Sequence, residues 1–409
     1  MEYKLLGECC SKIGSGATPK GGAMVYVNDG VSFIRSQNVY NDGFAYEGLA
    51  QIVDEAAEKL RSVTVAENDV LINITGDSVA RCCCVPVNVL PARVNQHVAI
   101  LRAKSDVVDY RYLHYSLVMP SMQQYLLGIA HSQGASRGAL TKGFLEKLAL
   151  PLPPLPTQRK IAKVLSAYDD LIENNTKRIR ILERMAEELY KEWFVRFRFP
   201  GHEKAKFVNG LPEGWRESRC GEVIDFDPMT RVDRGRQLTM VPMAALSTKM
   251  MSLDASQFTI VENASGSKFR NGDTLLAKIT PCLENGKTAY VYGLDDGEVA
   301  VGSTEFVVMR GREIGPRLCY CIARSDWFRA IAIGSMSGAD GRQRVKVEKL
   351  RQAVISLPSN ELLEKFESVL SPMFNEVEKL TRQNALLARQ RDLLLPRLMS
   401  GKLSMEGVG

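Results

Sequence analysis

The residues with the greatest capacity for metal or redox chemistry are the cysteines and histidines. Their spacing predicts neither a metal site nor a redox site. The chain has nine cysteines and four histidines, and Cys82, Cys83 and Cys84 are consecutive. Consecutive residues of a strand point to opposite faces, and no Cys-x-x-Cys pair offers the turn-like spacing that zinc sites use. We therefore expect no metal site, and reduced, mostly buried thiols of the kind found in intracellular proteins.

Sequence motifs for catalysis are also missing. Residues 281–288, PCLENGKT, are similar to a phosphate-binding loop but have Pro281 where the motif requires glycine. Gly14-Ser15-Gly16 lacks the remainder of a dinucleotide-binding fingerprint, and no Gly-x-Ser-x-Gly segment is present. The Asp169-Asp170 pair falls within a long heptad pattern. The sequence thus predicts no catalytic site, although an enzyme whose active residues are scattered along the chain stays an open alternative.

Length and composition are those of an ordinary globular protein. The 409 residues suggest two or three domains, with 45% hydrophobic and 24% charged residues. No apolar run approaches the roughly 20 residues of a membrane span, and the N-terminus lacks the apolar core of a signal peptide, so we expect a cytoplasmic protein. The formal net charge is only +6, so any binding of nucleic acid must depend on where the charges are placed.

The sequence repeats itself at about half its length. SQGASRGALTKGFLEKLALPLP (132–153) is matched by SGADGRQRVKVEKLRQAVISLP (337–358), 205 positions later. Upstream, NDVLINIT (68–75) is similar to GDTLLAKIT (272–280), and NQHVAILR (95–102) is similar to STEFVVMR (303–310). The pairs occur in the same order, so we predict two copies of one unit, each a globular domain of about 150 residues followed by a helix.

Each globular part is predicted to be α+β. Short segments rich in β-branched or aromatic residues, such as VLINIT, HVAILRA, TLLAKIT and EFVVMR, are typical of strands. Two longer segments, YRYLHYSLVMPSMQQYLLGI and PRLCYCIARSDWFRAIAI, are interpreted as helices.

The strongest periodic signal is a heptad pattern that occurs twice. Apolar or small residues recur at steps of four and three, with Asn175 as the polar position, at Ile161, Leu165, Tyr168, Ile172, Ile179, Leu182, Ala186, Leu189 and Trp193. The repeat offset gives a second seam, in which Asn384 and Arg391 are polar, at Phe366, Leu370, Met373, Val377, Leu380, Leu387, Leu394 and Leu398. Each segment predicts a helix of about 50 Å, and we expect the two seams to pack against each other in an antiparallel pair.

Asn175 and Asn384 face each other if the two helices are antiparallel with coincident midpoints. A polar residue in a helix seam costs stability unless it is paired, and a buried Asn pair fixes the register. We therefore predict a contact between the two amides; the alternative is that both turn to solvent. The helix pair would act as a spacer that holds the two domains apart, related by a pseudo-twofold axis.

Both helical segments resemble those of a known family. LPLPPLPTQRKIAKVLSAYDDLIENNTKRIRILERMAEELYKEWF (150–194) is similar to the central helical region of specificity (S) subunits of type I restriction-modification enzymes. LLEKFESVLSPMFNEVEKLTRQNALLARQRDLLLPRLMSGKL (362–403) is similar to their C-terminal helical region, and segments 17–39 and 74–86 to parts of their target recognition domains. The likeness covers the whole chain. Arg391 departs from it, as does Ser359-Asn360 where the first copy has Pro154-Leu155.

The resemblance implies an α+β fold with two tandem mixed α/β target recognition domains separated by two long antiparallel coiled-coil helices. The domains would be residues 1–153 and 201–358, with the central helical spacer at 154–200 and the C-terminal one at 359–409. It implies a DNA-binding subunit without enzymatic activity, in which each domain reads one half of a split target. The expected partners are double-stranded DNA, two adenine-N6 methyltransferase (modification) subunits and motor-nuclease restriction subunits. S-adenosylmethionine, ATP and Mg are expected in those partners, with no cofactor bound by this chain.

Under this interpretation, the candidate DNA contacts are polar side chains in turn-rich segments. Arg, Lys, Asn and Gln can bond base edges, and the cations also contact phosphates. In the first domain we select Lys20, Arg35, Gln37, Asn38, Arg81, Arg93, Gln96, Arg137 and Lys142. In the second we select Arg231, Arg234, Arg236, Lys249, Lys278, Arg342, Arg344 and Lys346. Each of these could instead be a solvated surface residue. The segment around Arg137 and the segment around Arg342 and Arg344 are favoured because they recur at matched Gly- and Ser-rich positions.

Two further interpretations stay open. WFVRFRF at 193–199 interleaves aromatic and basic residues, as single-strand binding surfaces do, but its place at a helix end favours anchoring of that helix to a domain. The chain could also be a coiled-coil scaffold without a DNA role, or a specificity subunit of a non-restricting methylation or phage-exclusion system.

Overall fold

Two strands of similar sequence, Asp69–Asn73 and Thr274–Ala277, lie at the centres of two sheets. Each is buried along its whole length between two neighbouring strands. Strands that are covered on both faces take continuous apolar runs rather than alternating ones, which explains the sequences VLIN and TLLA. The computed structural model describes residues 2–132, 138–232, 235–262, 265–339, 341–403 and 405. It divides into unit 1, residues 1–172 with 386–409, and unit 2, residues 173–385.

Unit 1 combines short strands with short helices. Its strands, in chain order, are β1 (Glu2–Leu5), β2 (Cys10–Ser15), β3 (Tyr26–Val27), β4 (Val31–Ile34), β5 (Val39–Tyr40), β6 (Gly43–Phe44), β7 (Ala50–Ile52), β8 (Thr64–Val65), β9 (Asp69–Asn73), β10 (Cys82–Cys84), β11 (Ala92–Val94), β12 (Val98–Ala103) and β13 (Ala149–Leu152). Its short helices are α1 (Leu6–Cys9), α2 (Asp54–Lys59), α3 (Tyr110–Val118), α4 (Pro120–Ser132) and α5 (Lys142–Glu146).

The strands of unit 1 form two main sheets. One is antiparallel with the order β10-β9-β12-β2, and the other has the order β3-β7-β4-β11-β8 with a parallel β4–β11 pair. The termini of the globular part meet in the antiparallel β1–β13 pair. Apolar side chains from the two sheets, among them Phe33, Leu71 and Ile100, form one buried cluster, and the other face of the first sheet packs on the helices.

Unit 2 follows the same plan. After the long helix α6 (Leu155–Tyr190), its strands are β14 (Phe207–Val208), β15 (Leu211–Pro212), β16 (Arg216–Arg219), β17 (Ile224–Phe226), β18 (Gln237–Val241), β19 (Thr259–Glu262), β20 (Ser267–Phe269), β21 (Thr274–Ala277), β22 (Thr288–Tyr290), β23 (Ala300–Gly302), β24 (Phe306–Gly311) and β25 (Val354–Leu357). Its short helices are α7 (Cys220–Val223), α8 (Pro316–Arg324), α9 (Asp326–Gly334) and α10 (Val347–Gln352), and the last helix of the chain is α11 (Asn360–Met399).

The sheets of unit 2 repeat the strand orders of unit 1. The order β17-β24-β21-β22 corresponds to β2-β12-β9-β10, and β19-β18-β23-β20 corresponds to β7-β4-β11-β8. The parallel pair recurs as β18–β23, and the closing pair recurs as β16–β25. The strands and helices predicted from the sequence are confirmed, except that each predicted helix of the globular parts is two helices, α3 with α4 and α8 with α9, interrupted at Met119 and Ser325. The fold is a mixed α+β one.

Helices α6 and α11 carry the heptad seams, and the boundary between the two units falls within both. In unit 1, Ile161 and Leu165 of α6 share a buried cluster with Leu398 of α11. In unit 2, Ile179 of α6 lies in one buried cluster with Val377 of α11, and these seam residues are 2% exposed or less. Within the described part of the chain, no helix is both long enough and apolar enough to cross a bilayer.

The aromatic and basic stretch after α6 anchors the helix end within unit 2. Trp193 and Phe194 are buried, with ring centroids 5.2 and 4.8 Å from that of Phe366 in α11. Phe197 and Phe199 pack on Trp215 at 5.2 and 5.4 Å. All four aromatic rings are engaged with other rings of unit 2, so the anchoring interpretation is confirmed.

Candidate nucleic-acid interface

Three backbone segments meet next to the central strands of unit 2. Lys278 follows β21 and Glu305 precedes β24, and the Lys278 N–H donates to the Glu305 carbonyl at 2.9 Å. Arg344 forms a β-bridge with Ile279, and the Val345 N–H donates to the Lys278 carbonyl at 2.9 Å. We term Lys278, Glu305 and Arg344 the unit 2 junction. Backbone hydrogen bonds fix all three positions, so their side chains project from well-defined points.

The side chains of the unit 2 junction form a charged pair with a fork-like geometry. Arg344 Nε lies 3.0 and 2.9 Å from the two carboxylate oxygens of Glu305, and Nη2 lies 2.6 Å from Oε1. The hydrogen bonds from Arg344 hold the pKa of Glu305 below its usual value, and the charge of Lys278 adds to the effect. Glu305 is therefore a carboxylate at neutral pH, and it orients the guanidinium of Arg344.

Unit 1 has the same junction with different side chains. The Ile74 N–H donates to the His97 carbonyl at 2.9 Å, the Leu140 N–H donates to the Ile74 carbonyl at 2.8 Å, and Thr75 forms a β-bridge with Ala139. We term Ile74, His97 and Ala139 the unit 1 junction.

Neutral polar groups surround the imidazole of the unit 1 junction. His97 Nδ1 shares a hydrogen bond with Thr75 Oγ1, and His97 Nε2 shares one with Gln96 Nε2 at 3.1 Å. The Thr18 hydroxyl in turn donates to the side-chain amide oxygen of Gln96, Oε1. An amide and an imidazole thus lie at the junction of unit 1, where unit 2 has a carboxylate and a guanidinium.

Two of the candidate contacts predicted from the sequence are corrected by the structure. Asn38 is fully buried, where its amide donates to the carbonyls of Ala45 and Glu47 and accepts from the Arg35 N–H. Arg93 is 9% exposed and donates to the carbonyls of Ala57 and Ala92. Both side chains satisfy buried backbone groups, as polar groups inside proteins must, and neither is available to a DNA groove.

Three other candidates in unit 1 are held near the surface by local contacts. Arg35 Nη2 and Gln37 Nε2 both donate to the Gly48 carbonyl, at 2.7 and 3.0 Å. The guanidinium of Arg81 lies over the ring of Tyr40, 4.6 Å from its centroid. These contacts order the side chains while leaving other donor atoms of each for a ligand.

The other described candidates lie mainly on the surface. The structure brings Lys278 and Arg344 together and places Gln96 beside His97. The exposed candidates are Lys20, Gln96, Lys142, Arg231, Arg236, Lys249, Arg342, Arg344 and Lys346, and Lys278 is half-buried. Lys142 pairs with Glu146 one helical turn later, at 3.6 Å. Arg137 and Arg234 lie outside the described residues.

Sequence reasoning missed His97 and Glu305 as members of the candidate site. The signal was present, because NQHVAILR and STEFVVMR were matched as repeats, and these residues stand at the same place in the two strings. Their backbone N–H groups also make similar hydrogen bonds. The His97 N–H donates to Asn95 Oδ1 and the Glu305 N–H donates to Ser303 Oγ, both at 3.1 Å. The candidates were basic and amide side chains, so Glu305, the carboxylate that orients Arg344, was not among them.

The polar residues of the helix seams lie opposite polar partners. Within unit 2, Asn175 Nδ2 donates to Asn384 Oδ1 at 2.9 Å, and Asn384 Nδ2 donates to Thr176 Oγ1 at 3.3 Å. Within unit 1, Arg391 Nη1 lies 2.6 Å from Asp169 Oδ1. Each contact joins α6 to α11, so the position that departed from the apolar seam, Arg391, also has a partner across the helix pair.

The described residues contain neither a metal-binding cluster nor a cysteine whose thiol pKa is shown to be lowered. No cluster of three or more His, Cys, Asp or Glu side chains there has a metal-binding arrangement. The cysteines are unpaired thiols, and burial raises the pKa of Cys10 and of Cys84 to about 12. A thiol with a raised pKa is a poor nucleophile at neutral pH.

Comparison with known proteins gives consistent matches. A family model for the type I restriction modification DNA specificity domain matches residues 1–184. The chain is 25% identical to the type I restriction enzyme MjaIX specificity subunit of Methanocaldococcus jannaschii, over 97% of this chain and 92% of that protein. It is 21% identical to the MjaVIII specificity subunit of the same organism, over 89% of this chain and 87% of that protein.

A solved structure shares the fold. The S subunit of a type I restriction-modification system from M. genitalium superposes with a TM-score of 0.60 at 14% identity, covering 97% of this chain and 95% of that one. The matches to the two curated relatives extend over both units, and the family model covers the globular part of unit 1 and most of α6. Over both units the chain is therefore similar to specificity subunits of type I restriction enzymes, and residues 1–184 match the family model for the DNA specificity domain of these systems.

Proposed function

We propose that this chain reads a bipartite DNA target, with one half-site read by the target recognition domain at 1–153 and the other by the domain at 201–358. The observation that carries the proposal is the pair of junctions. The same backbone hydrogen bonds recur in both units, while the polar side chains are Gln96 and His97 in one and Glu305 and Arg344 in the other. Two like scaffolds with unlike polar groups would read two different half-sites.

In this proposal the helical segments 154–200 and 359–409 are an antiparallel coiled-coil spacer that relates the two domains by a pseudo-twofold axis and sets the unread gap. Its support is the polar contacts between α6 and α11 within each unit, since such contacts select one register over its neighbours. Half-site spacing in a DNA target follows the geometry of the protein that binds it.

The partners in this proposal are two adenine-N6 methyltransferase subunits and, in a restricting system, motor-nuclease subunits. S-adenosylmethionine, ATP and Mg would be bound by those subunits, with no cofactor in this chain, and the complex would act in the cytoplasm. The exposed lysines and arginines would contact phosphates and bases. A phosphate contact adds to the affinity for every DNA sequence, whereas a base contact adds only to the affinity for a sequence that carries that base.

The test is a genome-wide map of N6-methyladenine by long-read sequencing. It compares cells that have the gene, cells from which it is deleted, and deleted cells to which it is restored, all with the native methyltransferase subunit. We expect a split motif, methylated on both strands, that vanishes on deletion and returns on restoration. An unchanged methylome in the deleted cells, with the methyltransferase active through another S subunit, would contradict the proposal.

A binding measurement separates the proposal from a scaffold role. The complex with methyltransferase subunits is titrated with a duplex that carries the motif and with one in which both halves are scrambled, at two salt concentrations. Specific recognition predicts tighter binding to the motif, and phosphate contacts predict weaker binding to both duplexes as salt rises. Binding that is indifferent to both sequence and salt would favour the scaffold.

A further inference from the structure

The Glu305–Arg344 pair is held more firmly than an ordinary surface ion pair. The backbone of Arg344 is fixed by reciprocal hydrogen bonds with Ser337, at 2.9 and 3.0 Å, and that of Glu305 is fixed by Lys278 and by Ser303 Oγ. The Glu305 side chain is 22% exposed and that of Arg344 is 52% exposed. The carboxylate is thus the inner, fixed partner, and the guanidinium is the outer one.

The geometry leaves one edge of the guanidinium for a ligand. Glu305 takes the edge formed by Nε and Nη2, and within the described residues no hydrogen bond occupies Nη1. Nη1 and the second hydrogen of Nη2 can donate to two acceptors that lie side by side. Guanine offers such a pair, O6 and N7, at its major-groove edge, and an arginine that spans both atoms is the commonest specific contact to a base.

Stability alone does not account for the pair. The guanidinium of Arg344 is half exposed, and an ion pair with such a partner contributes little to folding, because water screens the attraction. The matched position in unit 1 is Ala139, and His97 there stands in place of the carboxylate. The shared scaffold therefore forms without the pair, which fits a role in what unit 2 recognises.

We propose that Arg344 reads a guanine in the half-site recognised by unit 2, and that Glu305 is the positioning residue that holds its guanidinium for this contact. The inference rests on the proposed function, since it assigns one base of one half-site to that same interface. Preorganisation by Glu305 lowers the entropy lost on binding, because the guanidinium is already in the required orientation. The unit 1 junction, with Ala139, lacks this means of reading guanine.

The test uses the complete complex with its methyltransferase subunits and duplexes in which each base pair of the motif is replaced in turn. Arg344→Ala should weaken binding to the native motif by about 5- to 150-fold, the range for loss of a bidentate base contact, and abolish discrimination at one G·C pair. Arg344→Lys should weaken the same discrimination, because a flexible ammonium lacks the planar fork that Glu305 can orient towards O6 and N7. Glu305→Gln should relax the same position with a smaller loss of affinity.

Arg312 offers a matched control. It is 51% exposed and paired with Asp225 in unit 2, as Arg344 is paired with Glu305, but it lies away from the junction at the end of β24. Arg312→Ala should leave discrimination at every base position unchanged. The charge-reversed double variant, Glu305→Arg with Arg344→Glu, can re-form an ion pair. It should nevertheless fail to restore guanine discrimination, whereas a pair with a purely structural role would be rescued.

Several outcomes would overturn the assignment. An equal loss of affinity on all duplexes, with a shallower dependence on salt, would show that Arg344 contacts a phosphate. Unchanged discrimination in Arg344→Ala and Glu305→Gln would show that the pair has no part in reading. In both cases the wild-type complex would still methylate its split motif. Failure of the proposed function is distinguishable, because then no motif would depend on the wild-type chain.

Discussion

Strand β12 of unit 1 and strand β24 of unit 2 are alike at one end and different at the other. Near their C-terminal ends, Arg102 donates to both oxygens of Asp69 at 2.8 Å, and Arg310 donates to both oxygens of Asp273 at 2.7 Å. The two aspartates are 0% and 1% exposed. Just before the same strands begin, His97 in unit 1 corresponds to Glu305 in unit 2.

The comparison distinguishes the buried side chains that maintain the fold from the junction side chains that are accessible to a ligand. A buried carboxylate that also accepts a backbone N–H, as Asp69 does from Ala66 and Asp273 does from Arg270, can be replaced only at a high cost. The junction side chains are attached to an equally fixed backbone, but their outer atoms meet solvent. One end of the strand can therefore vary in chemistry without disturbing the other, as the proposed reading of two half-sites requires.

The largest effect is expected from breaking the buried pair in unit 2. Asp273→Asn keeps the volume of the side chain but leaves Arg310, which is 18% exposed, without its counter-charge. We expect the free energy of unfolding of unit 2 to fall by roughly 3–5 kcal/mol. All three tryptophans, Trp193, Trp215 and Trp327, lie in unit 2, so tryptophan fluorescence during urea unfolding reports this unit directly.

The matching change in unit 1 tests whether the two buried pairs are equivalent. Asp69→Asn should lower the free energy of unfolding of unit 1 somewhat less than Asp273→Asn lowers that of unit 2, because Arg102 is 34% exposed and can recover hydration. Hydrogen exchange of β9 and β12 measures this loss, since unit 1 has no tryptophan. Asp225→Asn, which breaks an exposed pair with Arg312, is the control and should cost less than about 1 kcal/mol. Equal losses for all three variants would show that burial does not set the difference.

Much of this comparison could be predicted from the sequence. The strands of both units were predicted because β-branched residues cluster in short runs, and the helices because their seams repeat every three or four residues over many turns. The contact between Asn175 and Asn384 depends on helix register alone, which the positions in the sequence determine. The repeat itself aligned His97 with Glu305.

The interactions that could not be predicted from the sequence join groups that are distant along the chain. Asn38 and Arg93 look like surface donors in the sequence, but the carbonyls that they satisfy, such as those of Ala57 and Glu47, are brought to them by the fold. The Glu305–Arg344 pair joins residues 39 positions apart, and only the meeting of three segments reveals it. Periodicity records which face of an element is buried, but it does not record which acceptor lies opposite a polar group.

A smaller effect is expected at the polar layer of the helix pair in unit 2. Asn175→Leu leaves the amide of Asn384 facing an apolar side chain, so unit 2 should lose about 1–2 kcal/mol of unfolding free energy, again measured by tryptophan fluorescence. The double variant Asn175→Leu with Asn384→Leu should recover much of that loss, since an apolar pair fills the seam. Asn174→Leu, an exposed change one residue away, is the control.

The double variant also tests register, because apolar layers discriminate poorly between neighbouring alignments. If the Asn pair sets the register, the double variant should methylate motifs with more than one gap length while remaining folded. A stable double variant that methylates only the native gap would show that other contacts, such as the Arg178–Glu376 ion pair at 2.8 Å, suffice.

The smallest effect expected is a dependence of unit 2 stability on pH that originates at Glu183 of α6. Burial raises its pKa to about 7, although its carboxylate accepts the Met251 N–H at 2.6 Å and lies near Arg324 and Arg180. In the unfolded chain the pKa is near the ordinary 4.5, so the folded state binds the proton more tightly. The stabilisation is complete below about pH 4.5, declines as the pH rises towards 7, and is absent above that.

Glu183→Gln should remove this dependence, because the amide oxygen can still accept the Met251 N–H and the side chain carries no charge at any pH. Above pH 7 the variant should be more stable than the wild type. The whole pKa shift corresponds to roughly 3 kcal/mol, and solvent screening of the half-buried side chain reduces this to the order of 1 kcal/mol, whereas at pH 4.5 the two should be alike. The position matched by the repeat in α11 is Ala388, which cannot titrate, and the slope that Glu183→Gln removes should be seen in the tryptophan signal of unit 2. The same slope in wild type and variant would trace the pH dependence to other groups.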